Sequence, residues 1–136
     1  IRSITSQVAD TDPQAAAKWI EKLPPGAAQD SGYASLVRTW AVYEPDAAGS
    51  WLNQMPAGET RNQATSNYVQ TIARTDPEGA YDWAVSIDDS TMRREAAKQA
   101  LMSWKENGGK EQAMQSIQQN TQFTEQERAE LIKAIE

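Results

Sequence analysis

Apolar and small residues recur along this chain with helical spacing, and a longer period lies over that spacing. After Pro13, the residues Ala16, Trp19, Ile20 and Leu23 fall on one face of a helix; after Pro45, Ala48, Trp51, Leu52 and Met55 draw the same face. Each of these short segments opens on an acidic residue followed by proline, as Asp12-Pro13, Glu44-Pro45 and Asp76-Pro77. An acidic residue suits a helix N-cap, and proline costs nothing at the first helical position, where its missing N–H would have no intrahelical partner. Pro24-Pro25-Gly26 and Pro56-Ala57-Gly58 stop the first two segments, and Asp88-Asp89-Ser90 turns the chain after the third. A longer amphipathic segment follows each turn, over about 27–42, 59–74 and 90–106.

The longer period is 32 residues. It aligns Pro13 with Pro45 and Pro77, Ala16 with Ala48 and Ala80, and Trp19 with Trp51 and Trp83. The same offset aligns Val37 with Val69 and Leu101, Trp40 with Ile72 and Trp104, and Arg61 with Arg93. A hairpin of two amphipathic helices cannot bury both faces alone, so its neighbours must stack on it. The expectation is an all-α domain over 1–136: a short right-handed α-solenoid of antiparallel hairpins and about nine helices. It would have a partial repeat over 1–9, full repeats over about 10–42, 43–74 and 75–106, and a degenerate capping repeat over 107–136. In the last unit Gly108-Gly109 replaces the Asp-Pro start, and Thr124 with Glu127 forms a capping-box pattern ahead of Leu131, Ile132 and Ile135. The tryptophans are expected in the core, since they repeat on helix faces and burying a large apolar side chain contributes about 1.5–3 kcal/mol.

With the residues set out in this way, the pattern resembles the tetratricopeptide-like helix-hairpin superfamily. In that family's phase the long helix comes first, and Leu36 with Trp40, then Ala48, Leu52 and Pro56, sit near its packing positions. The chain departs from the family in its period, 32 where the family has 34. It also carries Ser35-Leu36 at the family's Leu-Gly pair and a tryptophan one residue early. The resemblance implies an α-solenoid whose concave face meets a peptide or protein.

Composition removes most chemistry. The 136 residues contain no histidine and no cysteine, so the usual general base, the commonest metal ligand, disulfides and thiolate sites are absent. The net charge of -6 and the lack of any basic run beyond Arg93-Arg94 argue against nucleic acid and anionic membranes as partners. No apolar stretch is long enough for membrane insertion. The chain begins at Ile1, which reads as a processed or excised piece of a larger bacterial-type protein. The composition suits cytoplasm or periplasm, with a lean to the cell envelope.

Candidate acid–base groups have simpler explanations. Asp88-Asp89 sits where the other repeats turn, and Glu125, Glu127 and Glu130 lie in a capped first turn. The sequence therefore predicts no enzyme, no catalytic residue, no cofactor and no metal. Arg61 and Arg93 stand near the unfavourable, positive end of a helix. They call for a nearby carboxylate, for turn carbonyls across the hairpin, or for a carboxylate ligand.

The remaining candidates are polar. Along the long helices, opposite the Trp40 face, run Ser35, Arg38 and Thr39, then Asn67, Gln70, Thr71 and Arg74, then Gln99, Met102 and Ser103. Of these, Arg38, Asn67, Gln70, Thr71, Arg74, Gln99 and Ser103 are the candidate partner-binding residues, a ladder able to hold a peptide. The alternative is a solvated face whose hydroxyls bond back to their own helix. On the short helices, Tyr81 takes the place of Ala17 and Gly49 and is expected as an exposed anchor. The function expected is a non-catalytic protein- or peptide-binding module. The alternative is a scaffold segment that forms homo-oligomers through its ends or a lateral face.

Overall fold

In a computed structural model, residues 12–136 are described, and they form eight helices with no strand among them. These are α1 (Pro13–Glu21), α2 (Ala27–Tyr43), α3 (Pro45–Gln54), α4 (Glu59–Ile72), α5 (Pro77–Ala84), α6 (Ser90–Glu106), α7 (Lys110–Gln119) and α8 (Glu125–Ile135). The partial repeat over 1–9, and with it the expected ninth helix, lies outside the described residues.

Local signals account for the helix ends. Pro13, Pro45 and Pro77 stand at the starts of α1, α3 and α5. Asp12 and Asp76 cap their helices by accepting from the backbone N–H groups of Ala15 at 3.1 Å and Gly79 at 3.0 Å. Glu44 makes no such bond, because its longer side chain suits the cap geometry less well. Asp89 accepts from Met92 N–H at 2.9 Å, so the Asp88-Asp89 pair is turn and cap chemistry. α6 ends in a Schellman motif: Gly109 N–H donates to Trp104 C=O at 2.9 Å and Gly108 N–H to Lys105 C=O at 3.0 Å. Gly108 stands at φ +90°, which only glycine adopts at little cost. Gly-Gly at this point is therefore a helix stop with its own geometry.

The packing follows chain order. The long helices touch in succession, α2 on α4, α4 on α6 and α6 on α8; α1 fits against α2, and each later short helix fits against the long helices that precede and follow it. One continuous apolar cluster runs through them all. Ala16, Ile20, Leu36, Val37, Ala48, Leu52, Val69, Ala80, Ala84, Leu101, Ile117, Leu131 and Ile135 are among its fully buried members.

The tryptophans depart from expectation. Trp40 and Trp104 are buried, but Trp51 and Trp83 are only half-buried and Trp19 is 36% exposed. The centre of each short-helix contact is instead small or aliphatic: Ala16, Ala17 and Ile20; Ala48, Gly49 and Leu52; Ala80 and Ala84. At Gly49 an added Cβ would stand 3.0 Å from the Tyr68 hydroxyl and 3.2 Å from the Trp83 ring, so an indole has no room at that centre. Tryptophan, one position round the helix, covers the seam from its edge. Trp51 lies on Tyr33 and Trp40 with centroids 5.6 and 5.8 Å apart, and Trp83 meets Tyr68 edge-on at 5.2 Å. At the 32-residue offset, the counterparts of Tyr33 and Trp40 for Trp19 are Ile1 and Val8, outside the described residues.

Candidate interaction surfaces

The polar ladder of the long helices is solvent-facing, and part of it is already occupied. Arg38, Gln70, Arg74 and Gln99 are exposed, while Asn67, Thr71 and Ser103 are half-buried. Thr71 Oγ1 donates to Asn67 C=O at 2.9 Å, Asn67 Nδ2 to Gln63 C=O at 2.9 Å, and Arg38 Nε to Ala34 C=O at 3.3 Å. These are i to i−4 bonds within one helix, the back-bonding alternative set out above for the hydroxyls. Among the described residues Gln70, Gln99 and Ser103 make no side-chain hydrogen bond, and Arg38 bonds only through Nε. Arg74 is held through its backbone, whose carbonyl accepts from Asn107 Nδ2 at 3.2 Å. Met102, at the position 32 residues beyond Gln70, is 41% exposed on the same stripe.

Tyr81 is not an exposed anchor: it is only 4% exposed. Its ring leans on Trp104 with centroids 6.1 Å apart, its hydroxyl donates to Ser116 C=O at 3.3 Å, and it accepts from Asn120 Nδ2 at 3.3 Å. Burial, opposed in part by the Asn120 bond and reinforced by the Asp82 charge, pushes its pKa above the ordinary tyrosine value. The small residues around this position in the other hairpins made it look open. Here the tyrosine fills the space between α5 and α7.

The cations near the long-helix starts divide into two kinds. Arg93 Nη1 donates to Ile87 C=O at 3.0 Å and Asp88 C=O at 3.3 Å, and Arg128 Nη1 to Asn120 C=O at 2.9 Å and Phe123 C=O at 3.0 Å. Gln29, 32 residues ahead of Arg61, uses Nε2 in the same way on Ile20 and Leu23 carbonyls, both at 3.3 Å. Each clamps the turn before its helix. Among the described residues Arg61 bonds no turn carbonyl and forms no ion pair, and the one ion pair joins Arg94 to Glu127 at 3.8 Å.

Arg61 instead lines a hollow of about 220 Å³ between α3, α4 and α5, together with Asn53, Asp82, Trp83 and Ser86. Asp82 sits above the usual aspartate pKa through partial burial and the neighbouring charges of Glu78 and Asp76. Nothing in the sequence pattern marked Asp82, Asn53 or Ser86. The only legible signal was the misplaced charge of Arg61 at a helix start. A wider cleft of about 650 Å³ separates α1 from α3, edged by Gln14, Lys18, Glu21, Ser50 and Gln54 with Trp40 and Trp51 along it. The Nε1 of Trp40 is buried without a hydrogen-bond partner among the described residues.

The C-terminal glutamates act as caps. Thr124 Oγ1 accepts from Glu127 N–H at 3.1 Å, and Glu127 Oε1 accepts from Thr124 N–H at 3.0 Å. The bond from the Thr124 backbone N–H is the main cause that holds the Glu127 carboxyl below its ordinary pKa, against desolvation and with help from the Thr124 side chain and the charges of Arg94 and Arg93. Among the described residues no group of three or more potential ligands is placed to hold a metal ion, and no helix is long and apolar enough to cross a membrane. No protein-family model matches the chain, and no curated protein or solved structure matches it.

Proposed function

We propose that this chain is a non-catalytic module that binds a protein or peptide, built as a short right-handed α-solenoid on a tetratricopeptide-like hairpin and forming part of a larger bacterial protein. The observation that carries this reading is the successive contact of α2, α4, α6 and α8. Helices in direct sequence-skipping contact form one side of the array, and the short helices, which lean on them, form the other. A layer whose members approach one another more closely than the opposite layer is the inner side of a curved array. On it, Arg38, Gln70 and Met102 recur at the 32-residue spacing and Arg74 follows the end of α4, all exposed. The back-bonds of Asn67 and Thr71 fix their rotamers and leave their remaining polar valences available to an extended chain.

The test uses the immobilised domain beside an Arg38→Glu, Asn67→Ala, Arg74→Glu variant, with proteins retained from source lysate identified by mass spectrometry. A partner held by the wild type and lost by the variant supports the reading. Equal retention by both, or none, overturns the long-helix surface as the site.

A second reading, self-assembly, is favoured by Val42 and Tyr43, adjacent apolar residues that are 65% and 75% exposed at the end of α2. Mass measured across a concentration series separates the two. Growth with concentration that disappears in Tyr43→Lys supports assembly, and a constant monomer mass removes it.

A further inference from the structure

We propose that the hollow between α3, α4 and α5 is a binding site for a small zwitterion, a compound carrying a carboxylate and an ammonium group around a short spacer, such as a free amino acid. The first ground is an internal comparison. Gln29, Arg93 and Arg128 stand near long-helix starts and spend their donors on turn carbonyls. Arg61 is placed as they are, 32 residues from Gln29 and from Arg93, yet it makes none of those bonds. Its guanidinium keeps a planar fork of donors free at the hollow, and that fork matches a carboxylate.

The second ground is the opposite charge. Asp82 lines the same hollow, and Arg61 and Asp82 do not pair with each other. Two unlike charges held apart across one small space are satisfied together by a ligand that brings both partners. The surroundings agree with that assignment. Asp76 and Glu78 add negative potential on the Asp82 side, which favours a cation there, while Asn53 and Ser86 offer further polar contacts. Trp83 is half-buried, with one edge against Tyr68, and its remaining surface gives the hollow an apolar wall for a side chain. A volume of about 220 Å³ suits a single amino acid. The proposal stands apart from the long-helix surface and survives or fails independently of it.

The experiment is a heteronuclear NMR titration that follows the Trp83 indole N–H and the Ser86 amide. The probes are leucine, leucinamide, N-acetylleucine and the dipeptide alanyl-leucine. Leucinamide lacks the carboxylate and N-acetylleucine lacks the ammonium group. The expected result is saturable shifts at both reporters with leucine, or with alanyl-leucine if the charges are set for the longer spacer. Each singly charged analogue should bind about ten- to a hundredfold more weakly, the loss expected for one charge-assisted contact. Arg61→Gln, which installs the residue found at position 29, and Asp82→Asn should each abolish saturation while leaving the other indole signals in place. The proposal is overturned if neither zwitterion gives a saturable shift, if either analogue matches the zwitterion, or if saturation persists in Arg61→Gln.

Discussion

Tyr68 shows how a single side chain joins two helices. Its ring packs edge-on to Trp83, and its hydroxyl donates to the Pro45 carbonyl at 2.7 Å, bridging α4 to the start of α3. Burial and the charges of Asp46 and Asp76 raise its pKa, so it stays a neutral donor at physiological pH. Removing only the oxygen, by Tyr68→Phe, should cost about 1 kcal/mol in urea unfolding with the m-value unchanged. A change below about 0.3 kcal/mol would show that this bond adds little net stability over water. The tyrosines also mark where reading by sequence reached its limit. A tyrosine among alanines and glycines reads as an exposed anchor at 81, because the residues that enclose it, Trp104, Ser116 and Asn120, lie far along the chain. Arg61 and Arg93 likewise share one repeat position; the course of the preceding turn separates a clamp from a free cation.

At the level of elements, most of the fold was legible, since helix ends depend on neighbours within four residues. The Asp-Pro starts, the Pro-Gly stops and the Thr124–Glu127 box all lie where local chemistry puts them. What was not legible was which residue of each buried face sits at its centre. Apolar periodicity places Trp19, Trp51 and Trp83 on the core side, but the distance between helices decides whether an indole sits at the centre or the rim, and alanine and glycine took the centre. Caps offer an internal contrast. Thr124→Ala removes a bonded cap and should lower stability by about 1 kcal/mol, whereas Glu44→Ala, with no side-chain cap bond to lose, should stay within about 0.5 kcal/mol. Glu127 supplies the pH signature of the same box. Its folded pKa lies below its unfolded value, so its contribution is present above the unfolded pKa and is lost as pH falls through the folded one. The gap between wild type and Thr124→Ala should therefore narrow in acid. A gap that is constant with pH would separate the cap from the carboxylate.

For the whole molecule, the decisive fact is that packing joins helices one or two places apart in the chain. In such an arrangement stability is close to a sum of local terms and neighbour interfaces, so an end can open while the middle holds. Leu101 on α6 and Ile135 on α8 are both fully buried, and truncating either to alanine removes a comparable apolar volume, at about 2–5 kcal/mol locally. Their effects should nonetheless spread differently. α6 touches α4, α5, α7 and α8, so Leu101→Ala should lower native-state hydrogen-exchange protection through all of them. α8 packs on α6 and α7, so Ile135→Ala should release α8 and part of α7 while amides of α4 keep wild-type protection. If Ile135→Ala instead lowered protection evenly from α2 to α8, the chain would be a single cooperative globule. The linear array on which the proposed binding surface depends would then have to be abandoned. A graded response would leave α4 and α6, which carry Asn67, Gln70, Gln99 and Ser103, as the most persistently folded part of the chain and so the part best able to present a preformed surface.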